Sequence, residues 1–171
     1  MRFLLALGGG AFLPPGEAAT ELNRRRNAEA AATAIAAIAR EHELILVHED
    51  KTAAHALELA LRNALPGRDV VSVLTQVVVA MDDPAEPQAI AQVRSLRVLL
   101  DAGAVVVCAA GASTPVALDG LGTMHEVEAP VAQDLTAALL ARRLDAELLR
   151  IGTLADLARA VPGEDSLRST A

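Results

Sequence analysis

RFLLALGGGAF, residues 2–12, sets the fold class. The apolar run at 2–7 stops at Gly8-Gly9-Gly10, which reads as a strand buried on both faces and ending in a tight turn. Similar runs recur further along: ELILV at 43–47, VVSVLTQVVVA within 69–80, and VVVCAA within 104–110. The spacing predicts a helix over 20–41, with Thr20 as its cap and Leu22, Ala30, Ala34, Ile35 and Ile38 facing inward. A second helix is expected over 51–65, ended by Pro66-Gly67, and a third over 88–101, closing at Gly103. The β-branched run at 69–80 is expected to be one long strand. Asp82-Asp83-Pro84 breaks it and caps the helix that follows. A hairpin is expected over 116–128 around Gly120-Leu121-Gly122, then a helix over 131–144, a strand over 147–151, and a short helix with a frayed tail. Doubly buried strands alternating with helices imply a mostly parallel sheet covered on both sides. The expected organisation is a single α/β domain over 1–161 and a flexible tail over 162–171.

Composition narrows the function classes. The chain has 171 residues, 53% hydrophobic and 22% charged, which excludes general disorder. With two Phe and no Trp or Tyr it lacks platforms for stacking bases. A net charge of −7, with Arg24-Arg25-Arg26 as the one basic run, argues against nucleic acid as a partner. The lone cysteine, Cys108, cannot close an internal disulfide and is expected to be an inert core thiol. The opening apolar run is too short for a signal core or a membrane span, so a soluble, cytoplasmic protein is expected. Of 15 basic side chains only Lys51 is lysine. That matters because phosphoryl-transfer sites commonly use lysine to neutralise phosphate oxygens.

Ligands of such sheets collect at the carboxyl ends of the strands, which here means the loops at 8–16, 48–52 and 111–115. Gly8, Gly9 and Gly10 allow backbone N–H groups close to an anion, or simply a tight turn, and a branched side chain at Gly9 is expected to block the loop. Gly111, Ala112, Ser113 and Thr114 form the matching small-residue loop. His48, Glu49 and Lys51 supply polar groups on the middle one. Neither G-x-x-x-x-G-K-[ST] nor G-x-G-x-x-G occurs. His48, Glu49, Asp50 and His55 have poor spacing for a metal, so no metal is expected and these residues are read as solvated. Ser113 has no histidine base nearby in sequence. The Arg24–Arg26 run is read as a solvated helix face with one arginine turned toward the first loop.

These segments resemble the carbamate kinase family of the amino-acid kinase superfamily, collinearly over roughly residues 2–150. ALGGGAF is similar to the family's ALGGNAL, and GEAATELNRRRN at 16–27 to its GE…T…N.R.N segment. LRNALPGRDVVSVLTQVVVAMDDPA at 61–85 matches a later family segment. RSLRVLLDAGAVVVCAAGASTPV at 94–116 resembles I.ALL.AG..VIAAGGGGIPV, and QDLTAALLA at 133–141 resembles DKDLAAALLA. The resemblance implies a three-layer α/β sandwich and, for intact members, ATP formation from carbamoyl phosphate and ADP in a homodimer. Gly8, Gly9, Asn23, Asn27, His48, Gly111 and Asp134 stand at matching positions. The departures fall on the chemistry. Gly10 replaces Asn, EDKTAAH replaces GNGPQVG after His48, GASTP replaces GGGGIP, and Gln133 replaces the lysine of DKD. The lysine-bearing insert and most of the C-terminal nucleotide-binding part are absent from the match. Losing one preorganised electrostatic group typically costs about 10²–10³ in rate. The expectation is therefore a shortened relative without ATP-dependent kinase activity, which binds a small anionic or carbamoyl-type ligand or a protein partner. Its binding residues would be Gly8, Gly9, Gly10, Asn23, His48, Gly111, Ala112, Ser113 and Thr114. The alternatives are a lyase or hydrolase using His48, Lys51 or Ser113 on a small carbamoyl or carboxylate metabolite, and an active minimal kinase. No cofactor is expected, ATP or ADP with magnesium entering only if kinase activity survives.

Overall fold

The opening run forms strand β1 (Arg2–Leu7), followed by a 3-10 turn at Gly9–Ala11. Helix α1 (Glu21–Glu41), strand β2 (Glu43–His48) and helix α2 (Lys51–Ala64) come next. Three strands follow, β3 (Val70–Leu74), β4 (Val77–Val79) and β5 (Pro87–Ile90), and then α3 (Val93–Asp101) and β6 (Val105–Ala109). The chain continues through β7 (Val116–Leu118), β8 (Met124–Glu126), α4 (Gln133–Leu144), β9 (Glu147–Ile151) and α5 (Leu154–Ala160). The structure, a computed structural model, describes residues 1–109, 114–128 and 132–160. The tail expected over 162–171 lies outside them.

Five strands make a wholly parallel sheet in the order β3-β6-β2-β1-β9. Side chains alternate across it. Leu5, Leu7, Leu44, Leu46, Val105 and Val107 pack with α1 and α2, and Leu157 of α5 joins them. Leu4, Ala6, Ile45, Val47, Val106 and Cys108 pack with α3 and α4 on the other face. The result is the three-layer sandwich, and its central strands are apolar on both faces because helices cover both. Local chemistry fixes the helix ends. Thr20 Oγ1 accepts from the Asn23 N–H at 3.2 Å, and Asp50 Oδ1 from the Thr52 N–H at 2.8 Å. At the amino end of the sheet Arg2 ties three elements together. It donates to Glu43 at 2.7 Å, to Asp101 at 3.0 Å and to the Leu144 carbonyl at 2.8 Å. None of the described helices is long and apolar enough to cross a membrane.

Three expectations need correction. The run at 69–80 is two strands in two sheets. β3 stays in register with β6 only from Val70 to Leu74. At Gln76 the N–H donates to Gln92 Oε1 at 2.7 Å and the carbonyl accepts from the Ala91 N–H at 3.0 Å, which turns the chain away. The Val77–Val79 strand then joins a four-stranded sheet, β5-β4-β7-β8. For the same reason 87–90 is a strand instead of the start of a helix: Ile90 and Ala89 pair antiparallel with Val77 and Val78, and tertiary pairing overrides helical periodicity. Finally, Leu22 and Ala30 of α1 are exposed. The buried stripe begins at Asn27 and runs through Ala28, Ala31, Ala32, Ile35 and Ile38, so Leu22 lies a turn ahead of the sheet it would have to cover.

Candidate functional site

Two turns meet at the carboxyl end of β1 and β9. The Gly8 N–H donates to the Ile151 carbonyl at 2.9 Å, and the Gly9–Ala11 turn is closed by the Ala11 N–H on the Gly8 carbonyl at 3.0 Å. A Cβ at Gly10 would lie 2.9 Å from the Gly152 carbonyl oxygen, so the two backbones approach as closely as glycine permits. A Cβ at Gly9 would meet only Glu49 Oε1, at 3.8 Å. The steric demand on a Cβ thus falls on Gly10 more than on Gly9. The turn's far end is held by Asn27, which is buried. Its Nδ2 donates to the Phe12 carbonyl at 2.8 Å and to Glu17 Oε2 at 2.5 Å. Arg26 pairs with the same Glu17, the residue that follows the first loop. On the β9 side, Thr153 donates to Asp156 Oδ2 from both N–H and hydroxyl at 2.9 Å, and the Asp156 N–H donates back to the Thr153 hydroxyl oxygen. The Thr153 hydroxyl is the main reason the Asp156 carboxyl lies below the usual carboxylate range.

Against these turns, on the α4 face, lies a cleft of about 170 Å³. Its walls are Ala6, Gly8, Ile151 and Gly152 on one side and Gln133 and Asp134 of α4 on the other, with Arg150 at its edge. Arg150 follows the alternation of β9, sharing the α4 face with Leu148, and stands opposite Ala6 in the sheet register. Its Nε lies 3.5 Å from Asp134 Oδ1. Gln133 Nε2 donates to the Leu7 carbonyl at 3.4 Å. The N-cap of α4 is Ala132, which supplies no side-chain acceptor, and the helix begins at Gln133 and Asp134 in the cleft wall, so the positive end of its dipole lies beside the cleft. One cation, one carboxylate, a primary amide and a helix N-terminus can together receive a small group bearing oxygens and N–H donors.

The sequence candidates are only partly gathered here. Gly8 lines the cleft, while Gly9 and Gly10 form the turn behind it. His48 was expected to be solvated and is 2% exposed. It shares the face of Leu44 and Leu46, so it points to the α1–α2 side of the sheet, away from the cleft, with its ring edge-on to Phe12 at 4.9 Å. Its Nδ1 accepts from the Asp50 N–H at 2.9 Å and lies 3.2 Å from the Asp50 carbonyl. Burial holds this histidine below its ordinary pKa. Lys51 is exposed at the start of α2. Asn23 donates through Nδ2 to the Ala18 carbonyl at 2.9 Å and so braces the entry to α1. Thr114 is exposed ahead of β7 in the other sheet, and Gly111, Ala112 and Ser113 lie outside the described residues. Cys108 is buried as expected, and burial pushes its thiol up to about 12. Among the described residues no group of three His, Cys, Asp or Glu side chains could hold a metal ion. Arg150 was not anticipated. The alternation in ELLRI at 147–151, with 148 and 150 on one face, was the available signal.

No family model matches the chain. In sequence it is 28% identical to the carbamate kinase of Rhizobium meliloti strain 1021 over 231 aligned residues, spanning 91% of this chain and 71% of the relative. It is also 28% identical to the carbamate kinase of Escherichia coli K12, spanning 90% and 74%. The solved structure of Giardia carbamate kinase shares the fold with a TM-score of 0.77 at 18% identity, covering 86% of this chain and 72% of that one. The Rhizobium alignment is longer than the 171-residue chain, so residues of the relative without counterparts lie between the matched ends. In sequence and in fold, this is a shortened, carbamate-kinase-like chain.

Proposed function

We propose that the protein binds a small anionic or carbamoyl-type ligand in the cleft between Gly8, α4 and β9, and that it lacks ATP-dependent kinase activity. One observation carries this reading. The cleft measures about 170 Å³ and is served by Arg150 and Gln133, with no lysine in its lining. Sites for larger organic ligands run to roughly 300–1,000 Å³. A carbamoyl or carboxylate group matches the volume of this cleft. The chain's one lysine, Lys51, stands exposed at the start of α2, on the layer opposite α4. A lyase or hydrolase built on His48 is less well supported, because that ring is buried on the other face of the sheet. Assembly as a homodimer belongs to this reading, with the outer edges of β3 and β9 free for pairing among the described residues. A light-scattering mass of one chain would remove that part.

The test of activity is ATP formation from carbamoyl phosphate and MgADP, read by luminescence. No turnover above background is expected. Turnover above background that disappears on Lys51→Ala would establish a working kinase and overturn the proposal.

A further inference from the structure

We propose that Arg150 is the specificity-determining residue of the cleft, and that it selects a planar, singly charged carboxylate-type group over a doubly charged phosphoryl group. The inference rests on the cleft being a ligand site and goes on to name the class of ligand. Ala6, opposite Arg150 in the parallel register, has too small a side chain to fill the space beside the guanidinium. The 3.5 Å separation of Arg150 Nε from Asp134 Oδ1 is longer than a good hydrogen bond, so the planar fork of donors is not consumed by that pair. A guanidinium presents two parallel N–H groups to a planar oxyanion, which a lysine cannot do.

Charge decides between the two classes. Arg150 contributes one positive charge, Asp134 one negative charge, and the N-terminus of α4 about half a positive charge. A monoanion nearly balances this set, whereas a phosphoryl dianion leaves a large negative excess beside the Asp134 carboxylate. Asp134 suits the smaller ligand in a second way, since it can accept from an N–H group carried next to the bound carboxylate-type oxygens.

The experiment is a titration of the full chain, followed by backbone amide shifts of Gly8 and Gly152, with acetate and separately with inorganic phosphate. It is run at pH 8 and fixed ionic strength, where phosphate is largely the dianion. Acetate is expected to bind about tenfold more tightly than phosphate. Arg150→Gln should weaken acetate by about 10- to 100-fold, the range for a hydrogen bond to a charged group. Arg150→Lys should not restore it, and Asp134→Asn should erase the preference by strengthening phosphate. Both side chains are exposed, so these variants keep the fold, and the rest of the amide spectrum checks that. Phosphate binding at these amides as tightly as acetate, or acetate binding unchanged in Arg150→Gln, overturns the assignment to Arg150 and leaves the cleft as a site. If neither anion moves Gly8 or Gly152, the ligand-site reading falls, and this inference with it.

Discussion

Gly10 shows how one residue records the difference between this chain and the family it resembles. Where the family's opening motif carries Asn, a Cβ here would sit 2.9 Å from the Gly152 carbonyl, a backbone atom that cannot swing aside. Thr153 and Asp156 fix that turn with reciprocal hydrogen bonds, so relief would require β9 and α5 to move together. Gly10→Asn is therefore expected to destabilise the protein by about 1–3 kcal/mol, the usual range for overpacking. Gly9→Ala, with only an ordinary contact to Glu49 Oε1, should stay within about 1 kcal/mol of the parent. Urea unfolding of the two variants measures the contrast. Equal stabilities would mean that the β9–α5 turn yields freely and does not shape the glycine loop.

At the scale of elements, what was legible followed burial. The strands at 2–7 and 147–151 have the ends the sequence suggests, because Gly8 follows a run that is buried from Leu4 to Leu7 and Gly152 follows the buried Ile151. The unbroken valine-rich run at 69–80 concealed its division, since membership of one sheet or two depends on the distant Ala91 and Gln92. His48 was found as a candidate but not its side of the sheet, which follows from its parity with Leu44 and Leu46 once β2 includes it. The β7–β8 hairpin was readable from its glycines, yet its turn is held by Asp119. One carboxylate oxygen accepts from the Leu121 and Thr123 N–H groups at 2.9 Å, and the other faces His125 Nε2 at 2.8 Å. These bonds, His125 first, bring the Asp119 carboxyl down to about 2. Every residue of β8 is exposed, so little burial supports the strand independently. Asp119→Ala is expected to speed hydrogen exchange through 124–126 at least tenfold while leaving the global melting temperature within about 2 °C, as befits local opening. Unchanged exchange there would show that pairing with β7 suffices without the turn.

Across the whole molecule, the amino end of the sheet is stapled by charge and the carboxyl end carries the glycine turn and the cleft. Stability against pH reads His48 and Asp156 at the latter end, and Asp119 in the hairpin of the other sheet, separately. The imidazole of His48 is buried and held below its ordinary pKa, so the native state resists taking up a proton that the unfolded chain accepts near pH 6.5. In that window the unfolded state binds more protons, and stability rises with pH. The contribution is fully present above about pH 6.5 and is lost progressively as the pH falls below that. Asp156 and Asp119 have depressed native pKa values, so what they contribute is present above the usual carboxylate range and fades only in stronger acid. Two separate declines are thus expected in melting temperature from pH 8 down to 2, an upper one that begins near the ordinary histidine pKa of about 6.5 and a lower one in the carboxylate range. His48→Gln, whose amide oxygen can still accept from the Asp50 N–H, should flatten the upper decline and leave the lower one in place. An upper decline that survives in His48→Gln would assign it to other groups and would mean that His48 takes up its proton in the native state without cost.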